Sequence, residues 1–212
     1  MSRLEAGKTY VYFSHVIKRQ PWNMPMLRRL VELGCTLIDY ECITDDRGRR
    51  LVFFGRFAGL AGMIDTLWAF GQRLRHEELE NPFTDVRQAY QYENVEHAKR
   101  EIAKIGERIR EEGLPAEIQP LICGFAGYGN VSRGAQEIYD LLPVREISPE
   151  DIGNVVASPN ECCKVVYYEK HMVERIADGG FELQEYYDHP DRYRSTFYPQ
   201  LRHLTLLANC IY

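Results

Sequence analysis

The pattern of apolar and polar positions near the N-terminus predicts a strand, a helix and a second strand. Thr9–Phe13 is a β-branched and aromatic run, which is typical of a buried strand. Apolar residues then recur at helical spacing over Met24–Leu33 and stop at Gly34, the usual residue just past a helix end. Thr36–Tyr40 predicts the second strand. This order favours a right-handed parallel crossover, so the residues after both strands should meet at one sheet edge.

The next segment predicts a turn, a hairpin arm and a long helix. Asp45–Gly48 has turn composition, and Arg50–Phe54 is expected to form a short strand or hairpin arm. Phe57–Leu74 has helical period but contains Gly59 and Gly62. Because glycine weakens a helix relative to alanine, we expect both glycines to allow close packing against another backbone.

The composition changes near residue 115. A polar connection leads into a charged amphipathic helix over Asn94–Glu112, whose charges are most simply a solvated face. Ile118–Phe125 is apolar and predicts a central strand, a glycine-rich segment follows, and Ala135–Leu142 is helical. Pro159–Gly180 is expected to be irregular, and His203–Ile211 predicts a last strand after an aromatic and charged loop over residues 186–193.

The predicted fold class is therefore α/β, with two domains. Residues 1–115 form a parallel-sheet domain, and residues 116–212 form a partial Rossmann-like domain. We expect the first to bind substrate and the second to bind a dinucleotide.

Composition and charge narrow the class of function. The 212 residues carry a net charge of -5 without a basic block, which argues against a nucleic-acid partner and favours a small molecule. No apolar run is long enough for a membrane helix, and the N-terminus lacks a signal-peptide pattern, so we expect no membrane association and a cytoplasmic protein. Six scattered cysteines are expected to be free thiols, with no metal site.

A glycine-rich turn is the first candidate site. Gly127-Tyr-Gly129-Asn-Val-Ser-Arg-Gly134 lies between a predicted strand and a predicted helix, where backbone amides can meet a pyrophosphate. The third glycine comes five residues after the second instead of three, so nucleotide binding and a plain tight turn both stay open. No clear acid follows to read the ribose, although Glu146 and Asp151 lie near the expected distance. NADPH therefore fits at least as well as NADH.

His15 and Lys18 form the second candidate site. They lie three residues apart just beyond the first strand, where an acid/base group beside a cation suits an anionic substrate whose protons must move. The alternative is a structural histidine and a surface lysine. Asp39 and Glu41, after the second strand, could hold His15 in one tautomer or recognise an amine, or could equally be capping or solvated. Arg50, with its neighbour Arg49, could bind a substrate carboxylate.

Several strings together resemble one family. They are Phe13-Ser-His-Val-Ile-Lys-Arg-Gln20, Leu37-Ile-Asp-Tyr-Glu41, Gly48-Arg-Arg50, Phe54-Gly-Arg-Phe-Ala-Gly-Leu-Ala-Gly62, Gly127-Tyr-Gly-Asn-Val-Ser-Arg-Gly-Ala-Gln136 and Asn209-Cys-Ile-Tyr212. In this order they are similar to lysine-ketoglutarate reductase and saccharopine dehydrogenase, within the wider alanine dehydrogenase and transhydrogenase fold.

The resemblance implies an oxidoreductase of lysine metabolism that joins lysine and 2-oxoglutarate into saccharopine with NADP or NAD, or runs that reaction backwards. It implies His15 as acid/base group and Glu41 as the acid that tunes it. The implied substrate-binding residues are Lys18, Gln20, Asp39 and Arg50. The implied cofactor-binding residues are Gly127, Gly129, Asn130, Val131, Ser132, Gly134 and Asn209.

The resemblance also implies a departure. The family has a further segment with a catalytic lysine before the first strand found here, so we expect an internal fragment whose isolated activity is low or absent. Two other functions stay open, a non-catalytic metabolite-binding or regulatory module and an alanine-dehydrogenase-like enzyme. The sheet edge that a fragment would expose makes a homodimer one expected assembly.

Overall fold

A computed structural model describes residues 3–211 of the chain. Its elements fall into a first unit that ends at Phe54 and a second unit that begins at Gly55. The sequence instead placed the change of domain near residue 115. The structural boundary comes earlier because the helix that starts at Gly55 packs along the helix that follows the glycine-rich turn. The assignment of residues 1–115 to substrate and residues 116–212 to cofactor stays a prediction.

The first unit contains the predicted parallel crossover. Strand β1 is Thr9–Tyr12, helix α1 is Met24–Glu32 and strand β2 is Thr36–Asp39. The two strands pair in parallel, with Tyr12 opposite Asp39 at their carboxyl ends. Gly34, with a φ of 59°, ends the α1 segment in the left-handed conformation that glycine adopts without strain. The parallel pairing therefore confirms what the apolar pattern predicted.

The remainder of the first unit is mostly turns. Short 3₁₀ turns at Val16–Lys18 and Tyr40–Cys42 follow the two strands. The predicted arm over residues 50–54 is reduced to one antiparallel bridge between Thr44 and Arg50. This bridge closes the turn whose Gly48 amide donates to the Asp45 carbonyl.

The second unit alternates strands and helices. Its longer helices are α2 (Gly55–His76), α3 (Val95–Glu112) and α4 (Asn130–Tyr139), and its short helices are α5 (Glu169–Met172), α6 (Leu183–Asp188) and α7 (Tyr198–Leu201). Its strands are β3 (Ile122–Ala126), β4 (Val144–Glu146), β5 (Cys162–Tyr167), β6 (Val173–Arg175), β7 (Tyr193–Ser195) and β8 (Leu206–Asn209). The sheet order β4-β5-β3-β8 is parallel throughout, which confirms the α/β, Rossmann-like class, and β6 and β7 form a separate antiparallel pair.

Strand β5 corrects the prediction that residues 159–180 are irregular. Five of its six residues are buried and the remaining one is half-buried, as expected for an inner strand of a parallel sheet covered on both faces. Its lysine is tolerated there because the Lys164 amine donates to the Asp140 carboxylate at 2.8 Å. The loop predicted over residues 186–193 is also partly regular, since it includes the end of α6 and the start of β7.

Glycines set the contact between α2 and α4. A Cβ atom on Gly59 would lie 1.9 Å from the Val131 carbonyl oxygen, and one on Gly134 would lie 2.0 Å from the Arg56 carbonyl oxygen. Gly59 therefore allows the close backbone approach that the sequence predicted. Gly62 does not, because a Cβ atom there would meet nothing within 4 Å. The core around this contact includes Leu67, Ile102, Ile109, Phe125 and Tyr139.

Over residues 3–211, no helix combines the length and the apolar character that crossing a bilayer requires.

Candidate functional site

His15 and Glu41 meet at the carboxyl edge of the β1–β2 pair. His15 follows β1 and Glu41 follows β2, and the parallel pairing brings their side chains together. Nδ1 of His15 lies 3.0 Å from Oε2 of Glu41, whose side chain is only 2% exposed. These two residues therefore lie at the shared edge that the predicted parallel crossover implied. Of the two acids, Glu41 is the one that contacts the imidazole.

Arg50 completes a charge cluster on the same carboxylate. Its Nη1 donates to Oε1 of Glu41 at 3.2 Å, and its Nε donates to the Val52 carbonyl at 2.7 Å. The guanidinium lies 5.2 Å from the centre of the Phe13 ring, which holds it by a cation–π contact. The arginine is 36% exposed, so part of its fork stays open to solvent. Buried Glu41 is therefore satisfied on both oxygens by groups that can carry positive charge.

The position of His15 is fixed by its backbone and by a ring contact. Its φ of 59° is in the left-handed region, which is uncommon for a non-glycine residue and recurs at functional turns. The imidazole ring stacks on the Phe13 ring, with the ring centres 5.4 Å apart. The backbone carbonyl of His15 accepts from the side-chain amide of Asn23. Because a carboxylate can only accept, Nδ1 of His15 donates to Glu41, and Nε2 is the ring nitrogen left to face a ligand.

Asp39 acts on the backbone of the same edge. Its carboxylate accepts from the Ser14 hydroxyl, from the Ser14 amide at 3.3 Å and from the Glu41 amide at 3.0 Å. Burial by itself raises the pKa of Asp39, but these hydrogen bonds and nearby Arg50 outweigh it and hold the pKa below its ordinary value. Ser14, which the sequence analysis did not single out, links the ends of the two strands through this contact. Asp39 therefore has the capping role that was one of its predicted alternatives.

The other predicted substrate residues lie on the turn after His15 and on the loop before Val52. Lys18 is exposed at the end of the 3₁₀ turn, and Gln20 is half-buried two residues later. Arg49 is bound within its own loop, because its Nε donates to Asp45 at 2.7 Å. Of the two neighbouring arginines, only Arg50 belongs to the histidine cluster.

The glycine-rich turn joins β3 to α4 in the second unit. Gly127 has a φ of 97°, which a side chain rarely tolerates, and its amide donates to the Tyr167 carbonyl. A Cβ atom on Gly129 would meet nothing within 4 Å, so space is open beside the start of α4. The first amides of any helix lack intrahelical acceptors, and they favour an anion there. The turn therefore fits a pyrophosphate.

The remaining predicted cofactor residues take two kinds of position. Asn130 is exposed at the start of α4, and Asn209 is exposed at the end of β8. Ser132 is buried, and its hydroxyl accepts from Gln136 at 2.9 Å. The Val131 carbonyl and Gly134 form the packed contact with α2. Gly134 thus serves helix packing, one turn beyond the part of α4 that is open.

A cavity of about 580 Å³ lies beside this turn at the carboxyl edge of the sheet. It is bounded by Gly127 and Gly129, by Ile211 after β8 and by Glu169 after β5. Glu169 was not among the predicted site residues, because the residues of β5 were predicted to be irregular. The apolar run over residues 162–167 was the signal that could have located the strand and the residue at its end. Over residues 3–211, no group of three or more histidine, cysteine or acidic side chains is placed to hold a metal ion.

The fold and the glycine-rich turn define the structural class of the second unit. The second unit is a Rossmann-like α/β structure with a glycine-rich turn between its first sheet strand and the following helix. No model of a known protein family matches the chain. Individual proteins do match it.

An α-aminoadipic semialdehyde synthase from Arabidopsis thaliana is 36% identical over 220 residues, covering 97% of this chain and 21% of the relative. A mitochondrial α-aminoadipic semialdehyde synthase from Mus musculus is 37% identical over 214 residues, covering 99% of this chain and 23% of the relative. A saccharopine dehydrogenase (NAD(+), L-lysine-forming) from Neurospora crassa is 34% identical over 126 residues, 59% of this chain and 32% of the relative.

Along nearly its whole length the chain is thus homologous to α-aminoadipic semialdehyde synthases, and over part of it to a saccharopine dehydrogenase, which matches the family that its sequence resembles. It spans about a fifth of the length of the two α-aminoadipic semialdehyde synthases described above.

Proposed function

We propose that the chain is part of an NAD(P)-dependent oxidoreductase that condenses lysine with 2-oxoglutarate to saccharopine, or cleaves saccharopine in the reverse direction. The observation that supports this most is the His15–Glu41–Arg50 cluster, since it combines an acid/base group with a cation. The names of the relatives, which include a saccharopine dehydrogenase, agree with it.

In this proposal His15 moves the protons. Forming an imine from an amine and a ketone requires proton transfer to and from nitrogen and oxygen, which a group that titrates near neutrality performs best. Nε2 of His15 is the atom for this role, because Nδ1 is bound to Glu41. Glu41 keeps the imidazole in one tautomer and stabilises it when Nε2 gains a proton.

Substrate carboxylates are the proposed ligands of Arg50 and Lys18. Both 2-oxoglutarate and saccharopine carry more than one carboxylate, and a planar guanidinium binds a carboxylate through two parallel hydrogen bonds. Arg50 uses Nη1 and Nε within the protein, so the exposed part of its fork remains for the ligand. Gln20 is proposed to line the same site, and Asp39 to position the edge through Ser14.

The proposed cofactor site is the turn at Gly127–Gly129 with the start of α4. A bound reduced nicotinamide would supply the hydride for the imine. Gly127 sets the sharp turn, open space at Gly129 lets the pyrophosphate approach, and Asn130 begins the helix. Asn209, at the end of β8, is proposed to contact the same ligand from the neighbouring strand. A homodimer and a cytoplasmic location stay predictions; the name of the Mus musculus relative includes "mitochondrial".

The test is an absorbance assay of reduced nicotinamide in the presence of lysine and 2-oxoglutarate. We expect turnover that falls about a hundredfold or more in His15→Asn, with dinucleotide binding unchanged. His76→Asn, in a histidine at the end of α2, is the matched control and should keep full turnover. Turnover in His15→Asn equal to that of the unchanged chain would contradict the proposal.

A further inference from the structure

The observed order of strands places a different residue beside the glycine-rich turn than the order of strands along the sequence would suggest. In a dinucleotide fold the acid that reads the adenosine ribose lies at the end of the strand next to the first strand. By sequence that strand would be β4, which ends at Glu146. In the structure β5 is inserted between β4 and β3, so β4 lies two strand spacings, roughly 10 Å, from the turn. The end of β5 therefore occupies the place next to the turn.

Two contacts tie the end of β5 to the glycine-rich turn. The amide of Gly127 donates to the Tyr167 carbonyl at 2.9 Å. The rings of Tyr128 and Tyr168 stack with their centres 4.5 Å apart. Glu169 follows directly and begins α5, where it is half-buried. The carboxylate is thus carried into the region of the turn by the strand itself.

Glu169 is held by one hydrogen bond and keeps an oxygen for a ligand. The hydroxyl of Tyr187, on α6, donates to Oε1 of Glu169 at 2.8 Å. This contact with the carboxylate raises the pKa of Tyr187 to about 12, so the phenol remains a donor at neutral pH. Oε2 can accept further hydrogen bonds. The pair is built from two elements that follow β5 and surround the cavity.

The cavity itself has the chemistry of an adenosine site. Its volume of about 580 Å³ lies in the range of small-molecule sites, and its walls include aromatic and apolar side chains such as Tyr186 and Met172. Among the residues within 3–211 that line it, Glu169 is the one charged side chain. Lys170 and His171 follow on α5 but are not part of this lining. The backbone amide of Tyr168 donates to Nδ1 of His171, and Nε2 of His171 lies 3.9 Å from the carboxylate of Glu150.

We propose that Glu169 binds the adenosine ribose hydroxyls and selects NADH over NADPH. This assignment rests on the proposed function, since it requires that the turn binds a nicotinamide dinucleotide. A carboxylate accepts from the 2′- and 3′-hydroxyls of an unphosphorylated ribose. A 2′-phosphate would remove a donor and place negative charge against Glu169 in a cavity that offers no cationic side chain. From sequence, where no clear ribose-binding acid was found, NADPH had fitted at least as well as NADH.

Dissociation constants for NADH and NADPH test the assignment, measured on the full chain by the fluorescence of the reduced nicotinamide. We expect NADH to bind at least tenfold more tightly than NADPH. In Glu169→Gln we expect NADH to bind more weakly and NADPH more tightly. The ratio of the NADPH dissociation constant to the NADH dissociation constant should therefore fall by about ten- to a hundredfold. Glu146→Gln is the matched control, because it makes the same change at one of the two acids that lie near the expected spacing from the turn. Its ratio should equal that of the unchanged chain.

The outcomes separate the two proposals. Equal or tighter binding of NADPH by the unchanged chain would overturn the role of Glu169, as would a ratio that changes in Glu146→Gln and not in Glu169→Gln. In both cases the cofactor site itself would stand. No binding of either dinucleotide would overturn the cofactor site, and the assignment of Glu169 with it. Thermal unfolding of each variant shows whether a loss of binding reflects a loss of fold.

Discussion

Glu41 and Asp39 show how two acids two residues apart can have different tasks. The side chain of Glu41 is buried beneath His15 and Arg50, whereas Asp39 accepts from the Ser14 and Glu41 backbone. Strand β2 ends at Asp39 and Glu41 lies in the 3₁₀ turn that follows, so the two side chains do not share a strand face and only Glu41 reaches the imidazole. The electrostatic contact and the backbone support are thus divided between neighbours.

Stability in the first unit should depend on pH through Asp39. The pKa of its carboxyl is below the ordinary 3.8 in the folded chain. The unfolded chain therefore binds the proton first, and the stabilisation is complete above pH 3.8 and lost as the pH falls through the lowered folded pKa. Asp39→Asn should lower the free energy of unfolding by about 1–3 kcal/mol at neutral pH, because asparagine replaces one of the two acceptor oxygens with an NH2 group and removes the charge that the Ser14 and Glu41 donors stabilise.

Urea unfolding followed by circular dichroism at several pH values measures this effect. The difference between Asp39→Asn and the unchanged chain should shrink as the pH falls below about 4. Asp46→Asn, in an exposed acid of the same unit, is the control and should change little. A difference that stays constant down to low pH would show that charge on Asp39 does not stabilise the fold.

At this scale the sequence predicted part of the first site. The meeting of His15 and Glu41 followed from two strands in parallel order, because the ends of parallel strands share an edge. The ring of Phe13 under both His15 and Arg50 did not follow, since it depends on side-chain rotamers that no periodic pattern encodes. Glu169 was missed because its strand was missed.

Among the elements, helix α2 contains two glycines that were predicted to allow close packing, and the prediction is correct for only one of them. Both glycines interrupt the same apolar helix, but Gly59 lies against the backbone of α4 and Gly62 faces open space. Sequence alone could not separate them, because the stretch Phe57–Ile64 that holds both glycines has no polar side chain, and tertiary packing decides which of its faces meets a neighbour. Gly59 and Gly62 therefore form a matched pair for substitution, because they lie on one helix and differ in whether a neighbouring backbone is present.

Alanine at each position should have opposite effects. Gly59→Ala should destabilise the second unit by roughly 2 kcal/mol or more, because the methyl group would clash with the Val131 carbonyl and force the helices apart. Gly62→Ala should stabilise it by up to about 1 kcal/mol, since alanine is the better helix former. Urea unfolding followed by the fluorescence of Trp68, which lies on α2, measures both. Equal effects of the two substitutions would contradict the packing described here.

The strands differ in how visible they were from sequence. β1 was predicted to within one residue at each end, whereas β3 was predicted with its end one residue short and its start four residues early. β5 was not predicted, although its residues are apolar except for Lys164. That lysine is compatible with a buried strand through its ion pairs with Asp140 and Glu146, and contacts between distant residues are not readable from local sequence.

For the whole molecule, the α/β class was predictable and the arrangement was not. The alternation of apolar strands and amphipathic helices indicates a parallel sheet. It does not specify that β5 inserts between β3 and β4, or that the boundary of the compact units falls at Phe54. Strand order and unit boundaries are settled by packing of whole elements. The cofactor proposal depends on that order.

Hydrogen exchange of the chain with and without saturating NADH tests the central claim most directly, namely that the turn after β3 binds the dinucleotide. We expect slower exchange in the amides of residues 127–132 and around Glu169, and no change in the amides of α3, which lies outside the lining of the cavity. Unchanged exchange over residues 127–132 at saturating NADH, or protection confined to other segments, would contradict the account.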